Sequence, residues 1–307
     1  MKRLYFVTVV FFATGILLLF VFYNRYANSY QEEQIDRYIS KNIDILNENL
    51  SFEKQYALSL SLYASKNKRI SEALRTDNQK IALQEINHFL REIRDTAGIS
   101  NVDIQVHTET LRAFARNWDK SDYKGTALGS FRKGLVRVKK SKKPFVSIEL
   151  GKRLNIKAIS PILDKNEHFA GSIEVIMDFR NIKKRLRKFN MHVLGLLDEK
   201  FIDIAVDLRH NVKIGKYYIL EKTFPEQLYQ RLKRHPEILD GKKFYHEVED
   251  RIIVLVPMKS VGIEDVGIIA LSMRADSMAS EIAKSSDPVP NDTTYTFEHN
   301  RREVHIK

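Results

Sequence analysis

The residues best suited to chemistry crowd into one stretch, LRAFARNWDKSDYKG, at positions 111–125. It holds the only tryptophan of the chain, Trp118, with Arg116, Asp119, Asp122, Phe114 and Tyr123 close by in sequence. An arginine presents a planar fork that matches a carboxylate. Aromatic rings bury apolar ligand surface and flank cations, and aspartates meet an ammonium group. The same residue types also suit an interface, or a loop that happens to be rich in large side chains. Where the stretch sits in the fold decides between these.

Catalytic patterns are missing. The chain has no cysteine, which excludes thiolate metal sites, iron–sulfur clusters, disulfides and a cysteine nucleophile. No two of its nine histidines stand at the i, i+2 or i, i+4 spacing of a metal site. Gly125–Gly129 reads as a turn rather than a phosphate loop, and no glycine-x-serine-x-glycine elbow occurs. The chain reads as a non-enzyme with no cofactor.

The elements that must position these residues begin with an apolar run. Residues 4–23, LYFVTVVFFATGILLLFVFY, carry no charge. About 20 such residues span a bilayer core, and the run is longer than a signal-peptide core of about 7–15 residues. Lys2 and Arg3 precede it, which predicts a cytoplasmic stub at 1–3, a single-pass anchor at 4–23 in a bacterial inner membrane, and a periplasmic body. An exported body makes nucleic acid an unsuitable partner despite the net charge of +12. Local basic peaks at 137–143 and 183–188 read as solvated faces, or as surfaces for anionic head groups or envelope polymers.

Ile35, Ile39, Ile43, Leu46 and Leu50 step by three or four, which is a helical stripe. The spacing predicts a helix over 25–75 within a segment 24–77, roughly 75 Å long, with an exposed part able to pair two copies into a homodimer. A second helix is predicted over 79–94. From Val102, Ile104 and Val106 the period becomes two, which is strand logic. Further strands are predicted at 145–150, 155–163 and 170–179, and a short basic helix at 181–189. The pattern then repeats in smaller form, with strands at 191–198, 201–207, 243–250, 251–259 and 266–273 and a helix at 225–235. The fold class is therefore α+β, two units with antiparallel sheets, at 78–182 and 183–276. Residues 277–307 read as a polar tail without a core pattern, expected to be disordered.

Arg116-Asn-Trp118, Phe131-Arg132, Lys143-Pro144, the segment from Glu149 to Arg153, and the strand pair LNIKAISPIL and GSIEVIM resemble one subgroup of double-Cache extracytoplasmic sensor domains. Such domains occur in chemoreceptors and sensor kinases. The resemblance covers about residues 25–280 and implies a long helix carrying two stacked PAS-like Cache units, membrane-distal and membrane-proximal. It also implies a ligand site between the first sheet and the loop 111–144. The candidate ligand residues are then Arg116, Trp118, Asp119, Tyr123, Arg132, Glu149 and Lys157. Lys157 stands where the subgroup has a strand arginine, and Asp119 replaces a tyrosine that often follows the tryptophan. Arg132 has a second reading as a bridge to Glu149, and Lys157 or Arg153 can partner a buried glutamate without any ligand.

The function this implies is a membrane-anchored sensor of a carboxylate or amino-acid-like ligand. No second span or output domain follows the last strand, so the expectation is a separately encoded signalling partner. The rival expectation is a scaffold that keeps the fold and acts through protein contacts alone.

Overall fold

A computed structural model of the chain describes residues 2–118 and 123–276. Asp119, Asp122 and the polar segment 277–307 lie outside the described residues. The described chain forms two units, one of residues 2–44 with 274–276, the other of residues 45–118 with 123–273.

In the first unit the chain is helical from Lys2, the start of α1 (Lys2–Ser65). Ile35, Tyr38, Ile39 and Ile43 are buried, as the stripe predicts, and the Tyr38 hydroxyl donates to the Arg274 carbonyl at 2.9 Å. The residues from Phe11 to Tyr23 that carry large apolar side chains are exposed, Phe11 by 78% and Tyr23 by 69%. Among the described residues no helix is long and apolar enough to cross a membrane. The run 4–23 falls partly outside them, since residues 2–10 and Ala13 are described in backbone only.

In the second unit, Leu46 and Leu50 continue the buried stripe of α1. The predicted helix does not run on to 75. The Asn67 side chain accepts from Arg69 N at 2.8 Å and Ile70 N at 3.1 Å, which starts a new helix, α2 (Lys68–Arg75). In the same way Asn78 caps α3 (Gln79–Ala97), which ends at Gly98 with a φ of +66°.

The first sheet has the strand order β2-β1-β5-β4-β3, all pairs antiparallel, from β1 (Val102–Thr108), β2 (Ala113–Arg116), β3 (Phe145–Leu150), β4 (Leu154–Leu163) and β5 (Phe169–Met177). Its face bearing Ile104, Ala158, Ser160 and Ile173 meets the helices, and Ser160 Oγ lies 2.8 Å from Ser61 Oγ of α1. The segment 111–144, expected as a loop, contains strand β2 and a helix, α4 (Lys133–Ser141). Leu135 and Val138 of α4 pack with Leu128, Tyr123 and Ile159 on the opposite sheet face.

After α5 (Arg180–Arg187) comes a six-stranded sheet of order β7-β8-β6-β11-β10-β9. It is built from β6 (His192–Asp198), β7 (Lys213–Ile214), β8 (Tyr217–Ile219), β9 (Tyr245–Val248), β10 (Arg251–Ser260) and β11 (Ile263–Arg274). Helix α6 (Glu226–Arg234) covers it through Leu228 and Leu232. The strand predicted at 201–207 is instead a pair of 3-10 turns, Glu199–Phe201 and Val206–Leu208. The Asp198 side chain caps Lys200 N at 3.1 Å and turns the chain off the sheet. The edge is filled by the hairpin of β7 and β8, whose Gly215 has a φ of +54°.

Candidate functional site

Side chains alternate across a strand, so directly paired residues share a face. In the first sheet Gln105 of β1 pairs with Arg116 of β2 and with Glu174 of β5, and Glu174 pairs with Ile159 of β4. One residue pair along, Ile176 of β5 pairs with Lys157, and Lys157 pairs with Ser147 of β3. Glu149 lies two residues beyond Ser147 on the same face, and His107 pairs with Ser172 in the other direction. Arg116, Gln105, His107, Glu174, Lys157 and Glu149 thus project from one sheet face, and each is at most 7% exposed.

Arg132 enters this face from above. It precedes α4, and its Nε donates to Glu149 Oε1 at 3.3 Å while its Nη2 donates to Glu174 Oε1. Glu149 Oε1 also accepts from Gly134 N at 3.1 Å, at the positive end of the α4 dipole. A Cβ at 134 would lie 2.5 Å from Glu149 Oε2, so a larger residue there would displace the Glu149 carboxylate. Arg132 is therefore the bridge to Glu149 that the sequence offered as one of two readings, and it bridges Glu174 as well. Arg153, the other cation expected near a strand glutamate, instead pairs with Asp207 at 3.3 Å.

At the β2 edge the Arg116 guanidinium carbon lies 4.0 Å from the centre of the Tyr123 ring and 5.5 Å from that of Trp118. Tyr123 is buried, and its hydroxyl accepts from Arg116 N at 2.8 Å and donates to Arg116 O at 3.3 Å. Trp118 is 38% exposed, so it neither fills the core nor is sealed within it. Asp119 and Asp122, the expected acidic neighbours of Arg116, lie outside the described residues.

The electrostatics leave Lys157 in an unfavourable state. Its pKa is lowered to about 8, by burial first and then by the charge of Arg132, with Glu174 and Glu149 working against the shift. Among the described residues Lys157 makes no hydrogen bond or ion pair, and its ammonium lies against Gly151, where a Cβ would come within 2.5 Å. Burial, then the charge of Arg132, holds His107 well below the usual histidine range, so it is neutral. Among the described residues, this face also holds Gln105 Nε2, His107 Nε2, Ser147 Oγ, Glu149 Oε2 and Glu174 Oε2 buried without a hydrogen-bond partner, with His107 Nε2 and Glu174 Oε2 3.8 Å apart. Buried polar groups are almost always satisfied. Donors and acceptors left over on one face can receive a small molecule that carries both kinds of group.

Sequence reasoning did not single out Gln105 or His107. Val102, Ile104 and Val106 alternate cleanly, and the residues between them read as a solvated face. The sheet is covered on both sides, so that second face is also buried. The available signal was the polar but uncharged character of Gln105 and His107 between apolar neighbours.

No curated protein matches the chain. Among solved structures the chain is similar to the sensor domain of the V. cholerae histidine kinase DctB, at 13% identity and a TM-score of 0.47, over 80% of this chain and 98% of that one. It is similar to the ligand-binding domain of the Pseudomonas fluorescens chemoreceptor CtaA in complex with L-leucine, at 14% identity and a TM-score of 0.43, over 82% and 99%. It is also similar to that of the Campylobacter jejuni chemoreceptor Tlp3 in complex with L-valine, at 12% identity and a TM-score of 0.41, over 80% and 96%. Residues 32–277 match the family model described as the double sensory domain of two-component sensor kinases, and the chain belongs to that double-Cache family.

Proposed function

We propose that this chain is a membrane-anchored, extracytoplasmic sensor that binds a small carboxylate or amino-acid-like ligand on the first sheet and passes the signal to a partner protein. It acts by binding, without catalysis. The observation that carries this reading is the buried Lys157 without a partner beside the unsatisfied oxygens of Glu149 and Glu174. A ligand carboxylate satisfies Lys157 and Gln105. A ligand ammonium or hydroxyl satisfies the glutamate oxygens. Arg116, Trp118 and Tyr123 form the rim, with Asp119 the proposed acidic member, and Arg132 holds the two glutamates in place. The unit at 78–182 is the membrane-distal sensor and that at 183–276 the membrane-proximal one.

Family membership supports sensing. The exposed apolar side chains from Phe11 to Tyr23 support the anchor, since a surface of that kind needs lipid or protein to cover it. The proposed homodimer uses α1, where Phe52 and Tyr63 are 58% and 67% exposed and Phe52 stacks on Tyr56. The proposed signalling partner is a separately encoded kinase, receptor or cyclase.

Calorimetric titration of the full chain in detergent with amino acids and small carboxylic acids tests the reading. A saturable ligand that loses affinity in Lys157→Met supports it, and no binding across the set overturns it. The rival reading, a scaffold without ligand, is favoured by one feature: Arg132 already bridges both glutamates, and its charge together with that of Lys157 balances theirs. That reading requires the second of these outcomes.

A further inference from the structure

The basic run at 183–188 does not form an open convex face. Helix α5 buries Ile182 and Leu186, and Arg185 turns to α1, where it pairs with Glu53 and Asn49. Residues 180, 183, 184, 187 and 188 repeat at helical spacing on the remaining side. That side lines a cleft of about 940 Å3, closed elsewhere by the ends of β1, β4 and β5 and by residues 207–223. The volume is that of a small-molecule site.

The charges within the cleft do not balance. Arg153 pairs with Asp207, Arg180 with Asp178 at 2.6 Å, and Lys183 with Glu221 at 2.6 Å. Lys184, Arg187, Lys188 and Lys222 also line it, and none of these four has a carboxylate within 4.0 Å among the described residues. Asp103 lines it too, but its Oδ1 accepts from Asn117 Nδ2 at 2.9 Å.

A buried donor points to the same chemistry. Asn181 Nδ2 donates to both Glu53 Oε1 and Asn101 Oδ1, each at 2.9 Å. The carboxylate fixes the orientation of Asn181, and Asn181 fixes that of Asn101. The Asn101 amide nitrogen is thereby left over, in a residue 7% exposed that lines the cleft, with no hydrogen-bond partner. A donor of this kind requires an acceptor.

We propose that this cleft is a second ligand site, separate from the Lys157 face, and that it takes a small molecule with two or more negative charges. Asn101 Nδ2 donates to the ligand, and Lys184, Arg187, Lys188 and Lys222 supply the compensating charge. The cleft walls come from both sheets' neighbourhoods, so the bound anion ties residues 101–103 and 155 to residues 207–223.

The test is calorimetric titration of the full chain in detergent with pyrophosphate and, separately, citrate, each against sodium chloride at equal ionic strength. The expected result is saturable binding of one of the two, which also tells a phosphoryl from a carboxylate ligand. Lys184→Glu with Arg187→Glu weakens it about tenfold or more, as does Asn101→Asp, which keeps the acceptor to Asn181 and removes the donor. Both lysine and arginine changes are on exposed side chains, so an unchanged melting temperature without ligand verifies the fold. Absence of saturable binding by either anion, or binding indifferent to the double charge reversal, overturns the proposal.

Discussion

The Arg116 guanidinium carbon lies 4.0 Å from the centre of the Tyr123 ring, and the Tyr123 hydroxyl bonds both the amide and the carbonyl of Arg116. One aromatic side chain thus fixes the backbone of β2 and holds its last arginine against the ring. The stretch that stood out for its residue types is built around this contact.

Tyr123→Phe removes both hydroxyl bonds and keeps the ring. The Arg116 amide, buried and then without its acceptor, costs about 1–3 kcal/mol. Urea denaturation is expected to show a lower midpoint with an unchanged slope. An unchanged midpoint would show that the two hydrogen bonds contribute nothing net.

Arg132→Met leaves Glu149 and Glu174 buried without their shared cation. Breaking a buried ion pair from one side costs about 3–5 kcal/mol. Adding Glu149→Gln and Glu174→Gln removes the stranded charges, so the triple variant is expected to regain much of that loss. If the single and triple variants denature alike, the glutamates are not held by Arg132.

Lys157 gives a pH signature. Its pKa in the folded chain is lowered to about 8, against 10.5 ordinarily. Between those values the unfolded chain binds more protons than the folded chain, so this residue makes stability rise with pH across that window. Below about pH 8 both states are protonated and the cost of burying the charge is complete. Lys157→Met is expected to be more stable than the parent by about 1–2 kcal/mol at pH 7, with the gain shrinking toward pH 10. Denaturation at pH 7, 8.5 and 10 measures it, and a constant difference between the two proteins would contradict the lowered pKa.

Trp118 is the sole tryptophan and is partly exposed, beside Arg116. A ligand seated between it and Lys157 takes water from the indole. The expected result is a blue shift of emission that saturates together with the calorimetric signal. Emission that stays fixed while a ligand binds would place that ligand elsewhere.

Much of this arrangement was legible in the sequence where one physical rule acted alone. The Ile35-to-Leu50 stripe marked a buried helix face, and all five of its residues are buried. Strands β3, β4 and β5 announced themselves by β-branched runs between polar breaks. The rules failed where two competed. Asn67 reads as an ordinary helix residue, yet its side chain resets the helix by capping. Phe201–Asp207 alternates like a strand, yet the Asp198 cap turns it away. β2 and α4 hid inside a segment whose charge density looked like a loop. Arg116, Glu149 and Lys157, which belong to the proposed site, were singled out through motif likeness. Gln105 and His107 were not, because their burial depends on a helix about 30 residues later in the chain covering the face they point to.

The most direct test of ligand binding on this face is paired calorimetric titration of the parent chain and Lys157→Met with a panel of amino acids and small carboxylic acids. The account predicts saturable one-to-one binding to the parent for at least one compound, and about tenfold or greater weakening in a variant that is itself more stable. Binding of equal strength to both proteins, or none to either, would contradict it.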